Sequence, residues 1–490
     1  MPSLIELIEA GLRRRPAHAT EFALTDSHRQ IQWQQLIATI EQTAAQLSAL
    51  GTRRLGLCAD NCVDWALIDL AAQLANIVLV PLPHFFTAEQ AAHSAQSAGI
   101  DYLLTDTELP VDWRAALLPS DSDSQPILQT PRLRGYTLPS IELPELPIGS
   151  QKITFTSGST GQPKGVCLSA AHQWQVAQSL AAATALSAPH HLCLIPLATL
   201  LENIGGIYTP LLCGGSVHLA SAAERGISGS SSLDPAQLLA VISAEQPHSL
   251  IVIPQLLALL VAAAQSGWQP PSSLKFIAVG GARTAPLLLE QAHQQKLPVY
   301  EGYGLSECGS VVTLNRADAN RPGTAGQILN HCQVTIEQGE VVIHSPCMLG
   351  YVGEQSSWLP SSVVSGDLGQ IDEDGFLTLS GRRKNLLITS FGRNVSPEWV
   401  ESLLLGSTLL RRCVVVGDGE PQLTALIDSD HARSQVQLAQ WLEACNRQLP
   451  DYARIGHCRA LSEAEWQPLL TANGRPRRAV INQFYSTLSD

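Results

Sequence analysis

Between Thr154 and Val166 the chain reads TFTSGSTGQPKGV. Thr156, Ser157, Ser159 and Thr160 offer hydroxyls, and Lys164 adds a fixed positive charge. Gly158, Gly161 and Gly165 let the backbone turn tightly and aim its N–H groups at one point. Donors, a cation and a pliant backbone in so short a stretch suit a polyphosphate. The G-x4-G-K-[ST] spacing of a Walker A loop is missing, so the anion is held in a different way. A solvated Ser/Gly connection is the plainer alternative. The density of hydroxyls and glycines ahead of Pro163 weighs against it.

Three further stretches follow in order: VGGARTAP from Val279, YEGYGLSECG from Tyr300, and SGDLGQIDEDGFLTLSGRRKN from Ser365. With the glycine-rich loop they resemble the adenylate-forming family of acyl- and aryl-CoA synthetases, firefly-type luciferases and nonribosomal adenylation domains. The resemblance runs along nearly the whole chain. It implies that Ser157, Gly158, Ser159, Thr160 and Gly161, with Thr156 and Lys164, surround the phosphates of ATP. Gly281, Ala282 and Arg283 fall beside the adenine, on which Tyr303 stacks within Gly302, Gly304 and Ser306. Glu307, with Thr160, is the implied ligand of Mg2+; an aromatic face grips a base, and a carboxylate is a hard oxygen donor. Asp367 matches the ribose-binding aspartate, Arg382 the arginine that touches ribose and phosphate, and Lys384 the hinge.

The implied reaction has two halves. A carboxylate attacks the α-phosphate of ATP to give an acyl-adenylate and pyrophosphate, and a thiol, usually the pantetheine of coenzyme A, then displaces AMP. NLLITSFGRNVSPEWVES, around Gly392, resembles the segment that lines the pantetheine tunnel in the second half. Three departures stand out. In LLTANGRPRRAV, Thr471 and Gly474 keep the family pattern, but Arg475 occupies the slot of its catalytic lysine. No lysine follows Lys384, and the chain has only Lys152, Lys164, Lys275, Lys296 and Lys384. In IPLATLLENIGG, Thr199 and Asn203 stand where histidine and arginine are expected, while Glu202 is retained. His190 and His191 precede the next strand and are expected in a turn, away from the chemistry.

Leu200, Leu201, Ile204, Leu305, Val311 and Val312 make the implied acyl pocket apolar, which favours a medium- or long-chain fatty acid, with aromatic acids open. Three readings compete. The first is an acyl-CoA synthetase using ATP, Mg2+ and coenzyme A. The second is an acyl-AMP ligase that passes the acyl group to an acyl carrier protein or another acceptor. The third is a nucleotide-binding protein whose catalysis decayed with the lysine.

The elements that must position these residues follow from hydrophobic period. Up to about residue 145, helical and strand-like segments alternate (IQWQQLIATIEQTAAQLSALG, RRLGLCA, WALIDLAAQLANIVLVPLP), as in parallel sheet built from βα units. Residues 109–148 read as connecting loop. The rhythm resumes with KITFT, the loop, then a helix from His172 to Ala185, and continues to KFIAVGG. After about residue 323, short glycine-punctuated alternation predicts antiparallel strands, and a second change comes near Gly381. The family resemblance casts this as an α/β fold: residues 1–382 form two α/β sheet layers plus a distorted β-barrel, and residues 383–490 a small mobile α+β lid.

Composition sets the outer bounds. The chain has 490 residues, 45% hydrophobic and 15% charged, against a usual charged share of about 25%, which excludes intrinsic disorder. A net charge of -13 excludes non-specific binding to nucleic acid or anionic membrane. Its 11 cysteines are scattered without a C-x2-C pair, which reads as free thiols in a reducing, cytoplasmic setting. The most apolar run, Ser249–Ala264, is interrupted by Pro254 and too short for the roughly 20 residues of a membrane span.

Overall fold

The computed structural model describes residues 2–488 apart from 18, 119–124, 127–131, 140–142, 157–162, 229–231, 345, 408, 430–434 and 472–473. Among the described residues, the mixed α/β architecture is built on two large sheets of nine and eight strands. In the first sheet, Val299–Tyr303, Phe276–Val279, Ser249–Val252, His190–Cys193, Ser216–Leu219 and Phe22–Thr25 run parallel in that order. In the second, Lys152–Thr156, Val78–Pro81, Arg54–Cys58 and Tyr102–Thr105 run parallel, with antiparallel strands at both margins. The helix Val63–Leu74 is buried all round from Val63 to Gln73, as its near-continuous apolar sequence requires of an element sandwiched between layers. One core joins it to Trp33, Leu36 and Ile40 of the helix Trp33–Ala49 and to Ile204, Ile207 and Leu211 beyond residue 200.

After residue 323 the expected antiparallel texture appears as the sheet Gln333–Glu337, Glu340–His344, Ser362–Ile371 and Leu377–Arg382. The C-terminal part carries a three-stranded sheet, Leu410–Val416, Leu423–Ser429 and Ile455–Ala460. Alternation in the first of these sends Cys413 and Val415 into one core and Val414 and Val416 into another, so both faces are covered. No helix among the described residues is long and apolar enough to cross a membrane.

Three local expectations change. The glycine-rich loop does not lead straight into a helix. The flanking strands Lys152–Thr156 and Lys164–Leu168 pair antiparallel, with Thr156 facing Lys164, and the second runs to Leu168 before Ser169 caps the helix Ala170–Thr184. Val166 and Cys167 are fully buried, which the helix reading leaves unexplained. His190 and His191 do not sit in a turn. They begin the strand itself, paired to Ser216 and Val217, because their rings find buried hydroxyl and carboxylate partners. Within residues 109–148, Trp113, Leu117 and Tyr136 are buried, and they organise a short helix, Val111–Leu117, and a strand, Arg134–Thr137.

Candidate active site

Strand pairing sets the first contact. Asp367 and Arg382 face one another across the antiparallel pair Ser362–Ile371 and Leu377–Arg382. The Arg382 guanidinium donates from Nε to Asp367 Oδ1 at 2.8 Å, and the Tyr303 hydroxyl donates to Asp367 Oδ2 at 2.8 Å. Asp367 is buried while Arg382 is exposed, so the guanidinium holds the carboxylate from the solvent side. Two of its roughly four acceptor directions are taken by these partners. Burial, then the charge of Asp367, pushes the Tyr303 pKa up and keeps the phenol a donor.

Tyr303 ends the strand Val299–Tyr303, and the chain turns at once into a short 3-10 helix, Ser306–Cys308, that carries Glu307. Gly304 makes this turn possible, since a Cβ there would lie 1.9 Å from the Ser310 carbonyl oxygen. Gly304→Ala is expected to cost about 1–3 kcal/mol through overpacking against backbone. A urea titration indistinguishable from wild type would show that the turn can relax instead. At Gly302 a Cβ would crowd the Thr313 carbonyl at 3.2 Å.

Glu307 and Lys164 meet through Tyr351. Its hydroxyl donates to Glu307 Oε1 at 3.0 Å, while the Lys164 ammonium lies 4.9 Å over its ring. Lys164 also pairs with Glu354 at 2.9 Å, an exposed contact that a phosphate can displace. Tyr351 and Glu354 were not singled out in the sequence. Tyr351 ends a two-residue strand, Gly350–Tyr351, that adds to the Lys164–Leu168 edge, Glu354 follows three residues later, and no motif spacing marks either.

Gly281 turns with φ +80, and Arg283 donates to the Leu379 carbonyl at 3.2 Å. The Arg283 pKa is pulled down by loss of solvent, with Glu301 and Glu398 opposing. Arg475 is exposed by surface area yet crowded by protein, which lowers its pKa, and the charge of Arg382 lowers it further. The two guanidinium groups therefore share one region. The turn that carries Arg475 is closed by its own N–H donating to Thr471 Oγ1 at 3.0 Å. Thr156 stands at the hairpin end, and Ser157, Gly158, Ser159, Thr160 and Gly161 lie outside the described residues. Thus Tyr303, Asp367 and Arg382 are in direct contact, Lys164 and Glu307 are linked by one side chain, and Arg475 lies within electrostatic reach.

Glu301 lies beside this set and escaped notice in the sequence. It accepts from the Gly323 N–H at 2.8 Å, and burial pushes its carboxyl up to about 7. The folded chain therefore holds a proton between pH 4.5 and 7 that the unfolded chain releases, so stability falls as pH rises through that window, by up to about 3 kcal/mol. Glu301→Gln keeps an acceptor for Gly323 and should flatten this slope between pH 5 and 8. Equal slopes for both proteins would refute the assignment.

Asn203, unexpected in its slot, joins a buried network. The Lys152 ammonium lies 2.7 Å from Asp69 Oδ1 and donates to the Tyr208 hydroxyl at 2.9 Å and to Asn203. Asn203 and Tyr208 donate in turn to Asp69 Oδ2 at 2.8 and 2.6 Å. The cation comes from the first strand of the glycine-loop hairpin, so the side chain at 203 need only relay.

Comparison with known proteins fits this geometry. Residues 10–352 match the family described as AMP-binding enzyme, and residues 384–488 match the AMP-binding enzyme C-terminal domain. The chain is 25% identical to the 2-succinylbenzoate–CoA ligase of Enterococcus faecalis, over 90% of this chain and 92% of the relative. It is 24% identical to the long-chain-fatty-acid–CoA ligase FadD15 of Mycobacterium bovis, covering 80% and 77%. The fold is shared with the anthranilate CoA ligase AuaEII, at TM-score 0.79, 19% identity and 98% coverage of both chains. The chain belongs to the AMP-binding enzyme family.

Proposed function

We propose that the chain activates a carboxylic acid with ATP and transfers the acyl group to the thiol of coenzyme A. The observation that carries this reading is the convergence of Tyr303, Asp367 and Arg382, with the Arg475 charge beside them. Tyr303 presents a ring to the base, Asp367 accepts from the ribose, and Arg382 and Lys164 offer cations to the phosphates. The carboxylate oxygen of the acid forms a bond to the α-phosphorus and pyrophosphate leaves. Arg475 bridges the two anions as they approach and stabilises the charge that builds on phosphorus. A thiolate then attacks the acyl carbon and AMP leaves with the bonding electrons. The half-buried Glu307 carboxylate suits Mg2+, a hard cation that would neutralise polyphosphate charge.

For the acid, the structure favours a compact apolar body. Leu200, Ile204, Val311 and Val312 are buried within the cores, which leaves Leu201 and Leu305 as the partly exposed apolar groups of the implied pocket. An aryl acid fits that short lining, and the name of the E. faecalis relative points the same way. A fatty acid is the second reading, supported by the name of the M. bovis relative. ATP–pyrophosphate exchange with benzoates, succinylbenzoates and C8–C16 acids, with and without coenzyme A, tests all of this. Exchange driven best by aryl acids, with thioester on adding coenzyme A, is expected. Preference for C8–C16 acids would replace the aryl reading, and exchange without thioester would point to a carrier protein or another acceptor. Absence of exchange in protein that binds ATP would leave a nucleotide-binding protein.

A further inference from the structure

On an interior strand of the nine-stranded sheet, three ligand-type side chains converge. His191 and Cys193 are two residues apart on the strand His190–Cys193 and so share one face, while Glu202 reaches them from the helical turn Leu200–Glu202. Relative exposures are 2% for His191 and 0% for Cys193 and Glu202. Their ligand atoms all lie within 4.8 Å of one another, the one such group of three among the described residues.

We propose that His191, Cys193 and Glu202 bind one divalent transition-metal cation, zinc foremost, as a structural site separate from the nucleotide site. The donor set is imidazole nitrogen, thiolate sulfur and carboxylate oxygen, a combination that zinc accepts and magnesium does not. A hydrogen-bonded trio leaves the site unsatisfied. His191 Nε2 meets Glu202 Oε1 at 3.1 Å and the Cys193 thiol is a weak donor toward the same carboxylate, while Glu202 Oε2 is buried without a hydrogen bond of ordinary geometry. A carboxylate oxygen stranded in a dry interior is costly, and a cation removes the cost.

Gly206 marks where the donors point. A Cβ there would stand 2.8 Å from Glu202 Oε1, 2.9 Å from His191 Nε2 and 3.2 Å from Cys193 Sγ. The three ligand atoms thus converge on the face of Gly206 that lacks a side chain, and a zinc ion with bonds of about 2.0–2.3 Å would lie among them, on the side away from the Gly206 backbone. Gly206 lies in the π-helical stretch Asn203–Tyr208, a distortion frequent at functional sites, and its carbonyl oxygen lies 3.9 Å from Cys193 Sγ as a fourth donor within reach. His191 Nδ1 is held by Ser249 Oγ at 2.9 Å, the outer-shell contact that orients a ligating imidazole. The bound ion would pin Glu202 and, through the next residue, the Asn203 relay to Lys152.

Untagged full-length protein, expressed with zinc and purified without chelating resin, is assayed by plasma mass spectrometry. About one zinc per chain is expected, falling below about 0.1 in Cys193→Ala. As a measurement independent of that variant's folding, wild-type protein is also unfolded, stripped and refolded with cobalt alone. A thiolate-to-cobalt absorption band in the near ultraviolet is expected, removed by prior alkylation of the unfolded thiols. Wild-type protein with under about 0.1 zinc and no cobalt band overturns the proposal, as does full zinc retention in folded Cys193→Ala.

Discussion

Lys152→Met is expected to destabilise the protein by about 3–5 kcal/mol, since it strands Asp69 without its cation in a site that water does not reach. Both partners are buried, at 1% and 0% exposure. Burial lowers the Lys152 pKa, and Asp69 opposes that shift, so the pair exists only while both charges are present. Urea titration measures the loss, and a value below about 1 kcal/mol would mean that the pair is hydrated or neutral. Adding Asp69→Leu to Lys152→Met should restore at least about 1 kcal/mol, because it removes the orphaned charge. Recovery will be incomplete, since Asn203 and Tyr208 also lose the acceptor they share.

Arg475→Ala should lower the rate of adenylate formation by about 10²–10³-fold, the usual cost of deleting one preorganised donor to developing charge. The thioester half-reaction, started from added acyl-adenylate, should change far less, because the acid is already joined to the phosphate and Arg475 no longer has two anions to bring together. Pyrophosphate exchange reads the first half and thioester formation the second. If exchange stays within about 2-fold of wild type, worth under roughly 0.4 kcal/mol, arginine has not inherited the lysine's task. Arg475→Lys adds a sharper comparison. A compact ammonium and a planar fork reach two anions with different geometry, so a change in either direction marks position 475 as a contact to the reacting groups.

Residues whose partners lie close along the chain, or in a motif, were legible in the sequence. Asp367 and Arg382 stand in one family-like segment and Tyr303 and Glu307 in another, and in each a single turn keeps the pair close in space. The large N-terminal and small C-terminal parts were legible from the change of texture near Gly381. Contacts made by distant, unremarkable segments were not. Tyr351 and Glu354 reach Lys164 only because a two-residue strand adds to the hairpin edge. Lys152 opens an apolar run and looks like a solvated strand end until Asp69, from a helix of the inter-sheet layer, closes over it. The last strand, Ile455–Ala460, buries only its first residue and so lacks the alternation that reveals strands. The raised Glu301 carboxyl depends on burial, which no local spacing encodes.

Of the eleven cysteines, ten are buried and Cys458 alone is exposed. The wild-type protein thus carries a single chemical handle, placed on the three-stranded sheet of the C-terminal part. Its thiol pKa is raised by partial burial, so maleimide coupling belongs on the alkaline side of neutrality. A dye attached there reports on the small sheet, because Trp399, Trp441 and Trp466 lie in or against the two cores that cover its faces. Energy transfer from these tryptophans to the dye would show, in unmutated protein, whether the C-terminal cores stay packed.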